Sequence, residues 1–152
     1  MRAPVPVDVP IGRDNRQNYR DLFSSIFSDF HLFDRLYGLE EVDYDRLRSL
    51  LDLTDLSHKT SIVDRRISTV DLSSGQRKRL ALVLSILEDK PILLLDEWAA
   101  EQDPQFRRKF YREILPWLKQ QQKTVVAVTH DDDQYDVADR VLKMQYGNFI
   151  SS

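Results

Sequence analysis

The 152-residue chain has no cysteine. Disulfides, thiolate metal sites and cysteine nucleophiles are therefore excluded, and the redox compartment is left open. Glycine is scarce, with only 4: Gly12, Gly38, Gly75 and Gly147. None stands in a G-x-x-x-x-G-K-[ST] pattern, so the loop that wraps phosphates in backbone N–H groups is absent. Long apolar runs are absent too. The longest, such as Ile92 to Leu95 and Val125 to Val128, fall far short of the ~20 residues that a membrane-spanning helix needs. The opening MRAPVPVDVP has no apolar stretch and does not read as a signal peptide. Excess charge is also lacking. With 22 basic and 25 acidic residues the net charge is −3, and no nucleic-acid partner is expected.

What remains is a soluble, globular balance: 41% hydrophobic and 31% charged residues, enough for one domain with a real core. Residues 1–18 are rich in Pro and Asp, and Val5, Val7 and Val9 permit at best a frayed edge strand. Residues 19–37 are aromatic and apolar. Tyr19, Leu22, Phe23 and Ile26 recur at helical spacing and are read mainly as core. Residues 43–52 read as an amphipathic helix through Leu47, Leu50 and Leu51, and residues 53–70 as loops with a strand near Arg66 to Val70.

From residue 72 the punctuation sharpens. Ser73 and Ser74 can cap a helix that runs through Leu80, Val83, Leu84 and Leu87 and stops before Pro91. Ile92 to Leu95 lacks alternation and suits a strand buried on both faces. Residues 105–121 form an amphipathic helix that Pro116 should kink or break. Thr124 to Thr129 reads as a second buried strand, Asp133 to Ala138 as a short helix. Val141 to Met144 and Phe149 to Ile150 read as a hairpin around Tyr146-Gly147-Asn148. Strand, helix, strand in this order implies an α/β fold with a parallel sheet.

Three elements carry chemistry. Leu72-Ser73-Ser74-Gly75-Gln76 opens a helix, where unpaired N–H groups and a partial positive charge favour an anion. Gly75 lets a phosphate come close and Ser73 adds a hydroxyl. The bland alternative is a Ser-capped helix followed by a basic turn, Arg77-Lys78-Arg79. Next, Asp96 and Glu97 close the apolar strand. At the carboxyl end of a parallel strand Asp96 can serve Mg2+ and Glu97 can orient or deprotonate water, although solvated acids also commonly end strands. Finally, His130 follows the second strand, at the same sheet edge, and can donate to a γ-phosphate. His31 and His58 are read as structural.

The joint pattern is specific. LSSGQ is followed by ILLLDE, whose Asp96 stands 96 − 76 = 20 residues after Gln76, then by Asp103, then by His130 after a strand. Here the sequence resembles the ATP-binding cassette (ABC) family, whose signature is LSGGQ. Phe27-Ser28-Asp29-Phe30-His31-Leu32-Phe33, the run Asp96 to Pro104, and Thr129-His130-Asp131-Asp132 look most like exporters of cyclic peptides and pyoverdine-type siderophores. The resemblance covers roughly residues 15–150.

The resemblance implies an incomplete P-loop NTPase domain: a parallel-sheet remnant plus a helical subdomain. Residues of about 19–75 would hold the sensing loop and helical subdomain. About 76–152 would hold the acid strand, the switch-histidine strand and the C-terminal hairpin. ATP and Mg2+ are the implied cofactors. Ser73 and Gly75, with their neighbours Ser74 and Gln76, would face the γ-phosphate of an ATP held by the opposite subunit of a head-to-tail dimer. Asp96 would serve Mg2+, Glu97 would be the catalytic carboxylate and His130 the switch. Asp103 would lie in the loop that crosses the dimer interface. Residues 27–33 would sense the transmembrane domain of an exporter, which places the chain at the cytoplasmic face of the membrane through that partner.

The sequence departs from the family at Ser74, which replaces a glycine, and at Ser28, which replaces a glutamine. A hydroxyl at Ser28 can still ligand Mg2+ but reaches less far. The larger departure is the P-loop, together with the adenine-stacking aromatic and the membrane helices. Its strand is expected beside the acid strand, so its loss should expose an apolar edge on Ile92 to Leu95 or Val125 to Val128. The chain therefore reads as the distal fragment of an exporter ATPase. Two other readings share the motifs. A soluble ABC ATPase of DNA repair or chromosome maintenance would carry coiled-coil heptads, and none are seen. A non-catalytic module lending only the signature face would tolerate loss of Glu97.

Overall fold

The computed structural model describes residues 10–38 and 41–150. The edge strand expected at Val5 to Val9 lies outside them. Helix α1 (Arg16–Arg20) leads into strand β1 (Phe23–Ile26), then helix α2 (Tyr44–Leu53) and a small hairpin of β2 (Ile62–Val63) and β3 (Arg66–Ile67). Helix α3 (Ser74–Leu87) precedes strand β4 (Ile92–Asp96) and a 3-10 turn at Trp98–Glu101. Helices α4 (Pro104–Lys109) and α5 (Leu115–Gln120) flank a π-helical turn, Phe110–Ile114. Strand β5 (Thr124–Val128), a 3-10 turn (Asp132–Val137) and the hairpin of β6 (Lys143–Gln145) and β7 (Asn148–Ile150) complete the order.

The expected parallel sheet is present, in the order β1-β4-β5. Leu93 lies between Ser24 and Val125, and Leu95 between Ile26 and Ala127. Two expectations fail here. The helical spacing of Tyr19 to Ile26 breaks at Asp21, and Phe23–Ile26 is a strand. Pairing its backbone with β4 outweighs local periodicity, because an unpaired apolar strand beside β4 would leave the backbone groups of both unsatisfied. The aromatic stretch is also less buried than expected: Ile26 and Leu36 are core, whereas Phe23, Phe27, Phe33 and Tyr37 are exposed.

The second failure concerns burial; of the two strands on which an open edge was expected, Val125 to Val128 has it. The acid strand β4 is paired on both sides, so it has no free edge. Among the described residues, the outer sides of β1 and β5 are both unpaired, one on each flank of the acid strand. Burial in the sheet is also one-sided. Leu93 and Leu95 are each 1% exposed, while Ile92, Leu94 and Asp96 on the other face are only half-buried. On β5, expected to be buried, Val126 is 46% and Val128 50% exposed. Helices cover one face of the sheet, and no described element covers the other.

The covered face holds the core. α3 packs on β1 and α5 on β5. Leu80, Leu82, Val83 and Ile86 of α3 share one buried cluster with Leu93 and Leu95 of β4 and with Trp98, Phe106, Phe110, Ile114 and Leu118. Each such side chain contributes about 1.5–3 kcal/mol when fully buried. Helix α2 forms as expected. Asp43 caps it by accepting from Asp45 and Arg46 N–H at 3.1 and 2.9 Å, and Leu47, Leu50 and Leu51 face α3.

Pro116 does not break its helix. It has no N–H to give, and the widened π turn before it absorbs the mismatch, leaving Pro116 in the first turn of α5. The strand expected at Arg66 to Val70 is limited to Arg66–Ile67 and pairs with Ile62–Val63 through Asp64 and Arg65, both at positive φ. The C-terminal hairpin forms with Tyr146 and Gly147 at φ 48° and 78°, a turn that matches strand twist.

Candidate functional site

Helix α3 begins where Ser73 caps it. The Ser73 hydroxyl accepts from the Gln76 N–H at 3.2 Å, and the Gln76 side-chain oxygen accepts from the Ser73 N–H at 3.0 Å. This reciprocal capping box explains the serine and the glutamine locally. It leaves the hydroxyl hydrogen of Ser73 free to point at an anion. The N–H groups of Ser74 and Gly75 lie between the capped ones, at the positive end of the helix.

Gly75 has a second reason to be glycine. A Cβ there would stand 2.8 Å from the Glu101 carbonyl oxygen and 3.5 Å from Gln102 Oε1. The signature helix thus packs backbone to backbone on the Trp98–Glu101 turn. Gln102 fastens the contact. It is buried, its Nε2 donates to the Gly75 carbonyl at 3.1 Å, and its Oε1 accepts from Arg79 Nε at 2.8 Å. Arg79 also donates to Asp103 and lies 3.5 Å from the centre of the Phe106 ring. Asp103 caps α4 by accepting from the Phe106 N–H at 2.9 Å. That backbone bond, with Arg79, holds its carboxyl below the usual carboxylate range.

The acid residues end β4 as expected. Asp96 pairs with Val128 in the sheet register. Glu97 turns the chain in the left-handed region, at φ 47° and ψ 33°. Its N–H donates to the Val128 carbonyl at 3.0 Å, which ties the turn to the end of β5. Its Oε1 lies 3.3 Å from His130 Nε2. The expected meeting of the two strand ends is therefore realised as a direct Glu97–His130 contact, open to solvent on the side of the imidazole. Behind it, the Tyr111 hydroxyl donates to Asp131 Oδ2 at 2.8 Å and lies 3.0 Å from Thr129 Oγ1. Burial pushes the Tyr111 hydroxyl up to about 12. This network holds Thr129 and Asp131, the two neighbours of His130.

Ser28 stands in an exposed turn two residues past Ile26, at the same end of the sheet as Asp96. Among the described residues no cluster of three or more His, Asp or Glu side chains forms a metal site. One carboxylate and one hydroxyl fit Mg2+, which keeps several waters and takes oxygens from phosphates. Past Ser28, Phe30, Leu32, Leu36, Leu84 and Glu88 line a cavity of about 280 Å3 beside α3. His31 and His58 are exposed.

Sequence reasoning missed Lys78, Gln102 and Arg79. Lys78 was part of a basic turn, yet it is 2% exposed. Its helical spacing to Gly75, Leu82 and Ser85 places it on the buried stripe of α3, and that is the signal that identifies it.

The profile of the ABC transporter family matches residues 6–100, more than half of the chain. The chain belongs to this family. It is 51% identical over 142 residues to the ATP-binding protein SyrD of Pseudomonas syringae pv. syringae, covering 91% of this chain and 25% of that protein. It is 38% identical over 81 residues to the thiamine import ATP-binding protein ThiQ of Haemophilus ducreyi, covering 53% of this chain and 38% of that one. A bacterial Atm1-family ABC exporter solved with ATP bound shares the fold. The TM-score is 0.75 at 16% identity, over 90% of this chain and 26% of that one. The chain thus spans about a quarter of SyrD and of the exporter. No described helix is long and apolar enough to cross a membrane.

Proposed function

We propose that the chain supplies the hydrolytic and signature face of an ATP site that drives export, with the phosphate cradle provided by another segment or chain. The observation that carries this reading is the Glu97–His130 contact of 3.3 Å at one end of the sheet, beside Asp96. Glu97 would accept a proton from water. His130 would donate to a terminal phosphate and register its loss. Asp96, with Ser28, would hold Mg2+, which supplies charge neutralisation on the phosphates when bound. Ser73, Ser74, Gly75 and Gln76 present the start of α3 to the γ-phosphate of an ATP seated on the opposite subunit of a head-to-tail dimer. Asp103, fixed by Arg79, stands in the loop that would cross to that subunit.

The remaining parts follow the same logic. Residues 27–33 and the cavity beside them would receive the transmembrane partner at the cytoplasmic face of the membrane. The resemblance to cyclic-peptide and siderophore exporters makes such molecules the cargo class. The unpaired edge of β5 and the open sheet face fit a missing strand and helix, the unit that carries a P-loop. The net charge of −3 and a longest described helix of 14 residues give no support to a role on DNA.

The test has two arms. By isothermal titration with ATP and Mg2+, the chain alone should bind no tighter than roughly millimolar, since most phosphate contacts are missing. A complex with a P-loop-bearing partner should hydrolyse ATP, and Glu97→Gln should abolish turnover while leaving assembly intact. Micromolar binding by the chain alone, or full turnover with Glu97→Gln, would refute the reading.

A further inference from the structure

Lys78 is a charged side chain in a place built for an apolar one. It stands on α3, one turn after Ser74, and is 2% exposed. A buried ammonium is tolerated only when its donors are matched. Two matches are present: Nζ donates to the Glu97 carbonyl at 3.1 Å and lies 2.9 Å from Glu101 Oε1. The contact with Lys78, aided by the Ser74 hydroxyl, holds the Glu101 carboxyl below its usual range. The Trp98 indole N–H closes the arrangement by donating to the Lys78 carbonyl at 2.9 Å.

The residue that receives this bond has an uncommon backbone. Glu97 is a non-glycine residue at φ 47°, where a side chain crowds the main chain. Such a conformation persists only when its surroundings over-determine it. The Glu97 N–H is held by Val128 at 3.0 Å, and its carbonyl by the Ala100 N–H at 3.3 Å and by Lys78. With both peptide groups fixed, the side chain reaches 3.3 Å from His130 Nε2.

We propose that Lys78 is a positioning residue: its bond to the Glu97 carbonyl locks the left-handed turn that aims the Glu97 carboxylate at His130, and so ties the signature helix to the acid. A shift of α3 against an occupied neighbouring site would then be transmitted to Glu97 through one hydrogen bond. The functional meaning rests on the reading of Glu97 as the hydrolytic base, but the geometry does not.

The test is conformational and needs no nucleotide, so a failed ATPase assay and a failed Lys78 test are distinguishable. The full chain is isotope-labelled and compared by NMR with Lys78→Met, which keeps the length and removes the donors, and with Glu101→Gln, which removes only the ion pair. Readouts are the HN–Hα coupling of Glu97, which reports φ, the Glu97–His130 cross-relaxation, and amide exchange at Glu97. Lys78→Met should shift the coupling, lose the cross-peak and speed exchange roughly tenfold. Glu101→Gln should leave all three near wild type. Unchanged readouts in Lys78→Met, or equal disturbance by Glu101→Gln, would overturn the proposal. If Lys78→Met fails to fold, adding Glu97→Gly decides, because glycine takes the left-handed turn at no cost. Restored melting supports the proposal, and a chain that still does not fold overturns it.

Discussion

Gly75→Ala separates two reasons for a glycine in the signature, because they predict opposite signs. If Gly75 serves only to admit a phosphate, the nucleotide-free chain should gain stability from alanine, up to about 1 kcal/mol from helix propensity. The structure points the other way. The new Cβ would sit 2.8 Å from the Glu101 carbonyl oxygen, a backbone atom that cannot swing aside as a long side chain can. The turn around it is pinned by the Gln102 N–H on Ala99 at 3.0 Å, by Gln102 Nε2 on Gly75 at 3.1 Å and by the Lys78–Glu101 pair. Overpacking of this kind costs about 1–3 kcal/mol. Net of propensity, Gly75→Ala should destabilise the chain by up to about 2 kcal/mol, a fall in Tm of up to roughly 8 °C at this size. Urea melts at constant m-value, without nucleotide, measure it. A midpoint equal to or above wild type would refute the packing argument.

Two further outcomes follow from the geometry. Tyr111 keeps its proton up to about 12 when folded, against ~10 when unfolded. The unfolded chain therefore loses that proton first as pH rises. The stabilisation is complete below pH ~10 and is lost towards about 12, removing up to roughly 2 kcal/mol. Tyr111→Phe should flatten this alkaline decline in a series of melts, and an unaltered slope would contradict it. On the open face of β5, Val126 is 46% exposed. Val126→Lys should reduce self-association in sedimentation runs while changing stability by under ~0.5 kcal/mol. A wild-type chain that is already a monodisperse monomer would remove the basis for this expectation.

Local chemistry was legible without coordinates. Ser73 capped its helix, Leu47, Leu50 and Leu51 formed one buried helix face, and Tyr146-Gly147 turned its hairpin. Each depends on residues within a few positions of one another. The apolar runs at Ile92 and Val125 were also recognisable as strands, and the residues that end them as one sheet edge. Two regions misled. Phe23–Ile26 lies in a helically spaced run but pairs with β4, a partner nearly 70 residues away that periodicity cannot report. The run Val125 to Val128 is apolar enough for a buried strand, yet whether it is covered depends on what packs against it.

The sequence by itself determined the family pattern, the strand ends that carry Asp96, Glu97 and His130, and the absence of a phosphate-cradling loop. These are matters of residue type and spacing. Only the tertiary structure decided that the acid strand is central, with β1 and β5 at the edges, and that Gly75 abuts the Glu101 backbone. It also decided that Lys78 is buried against the Glu97 carbonyl. The reason is physical: each of these depends on which backbone groups and side chains meet across long separations in the chain, and hydrogen bonding and close packing settle that only once the helices and the sheet are assembled.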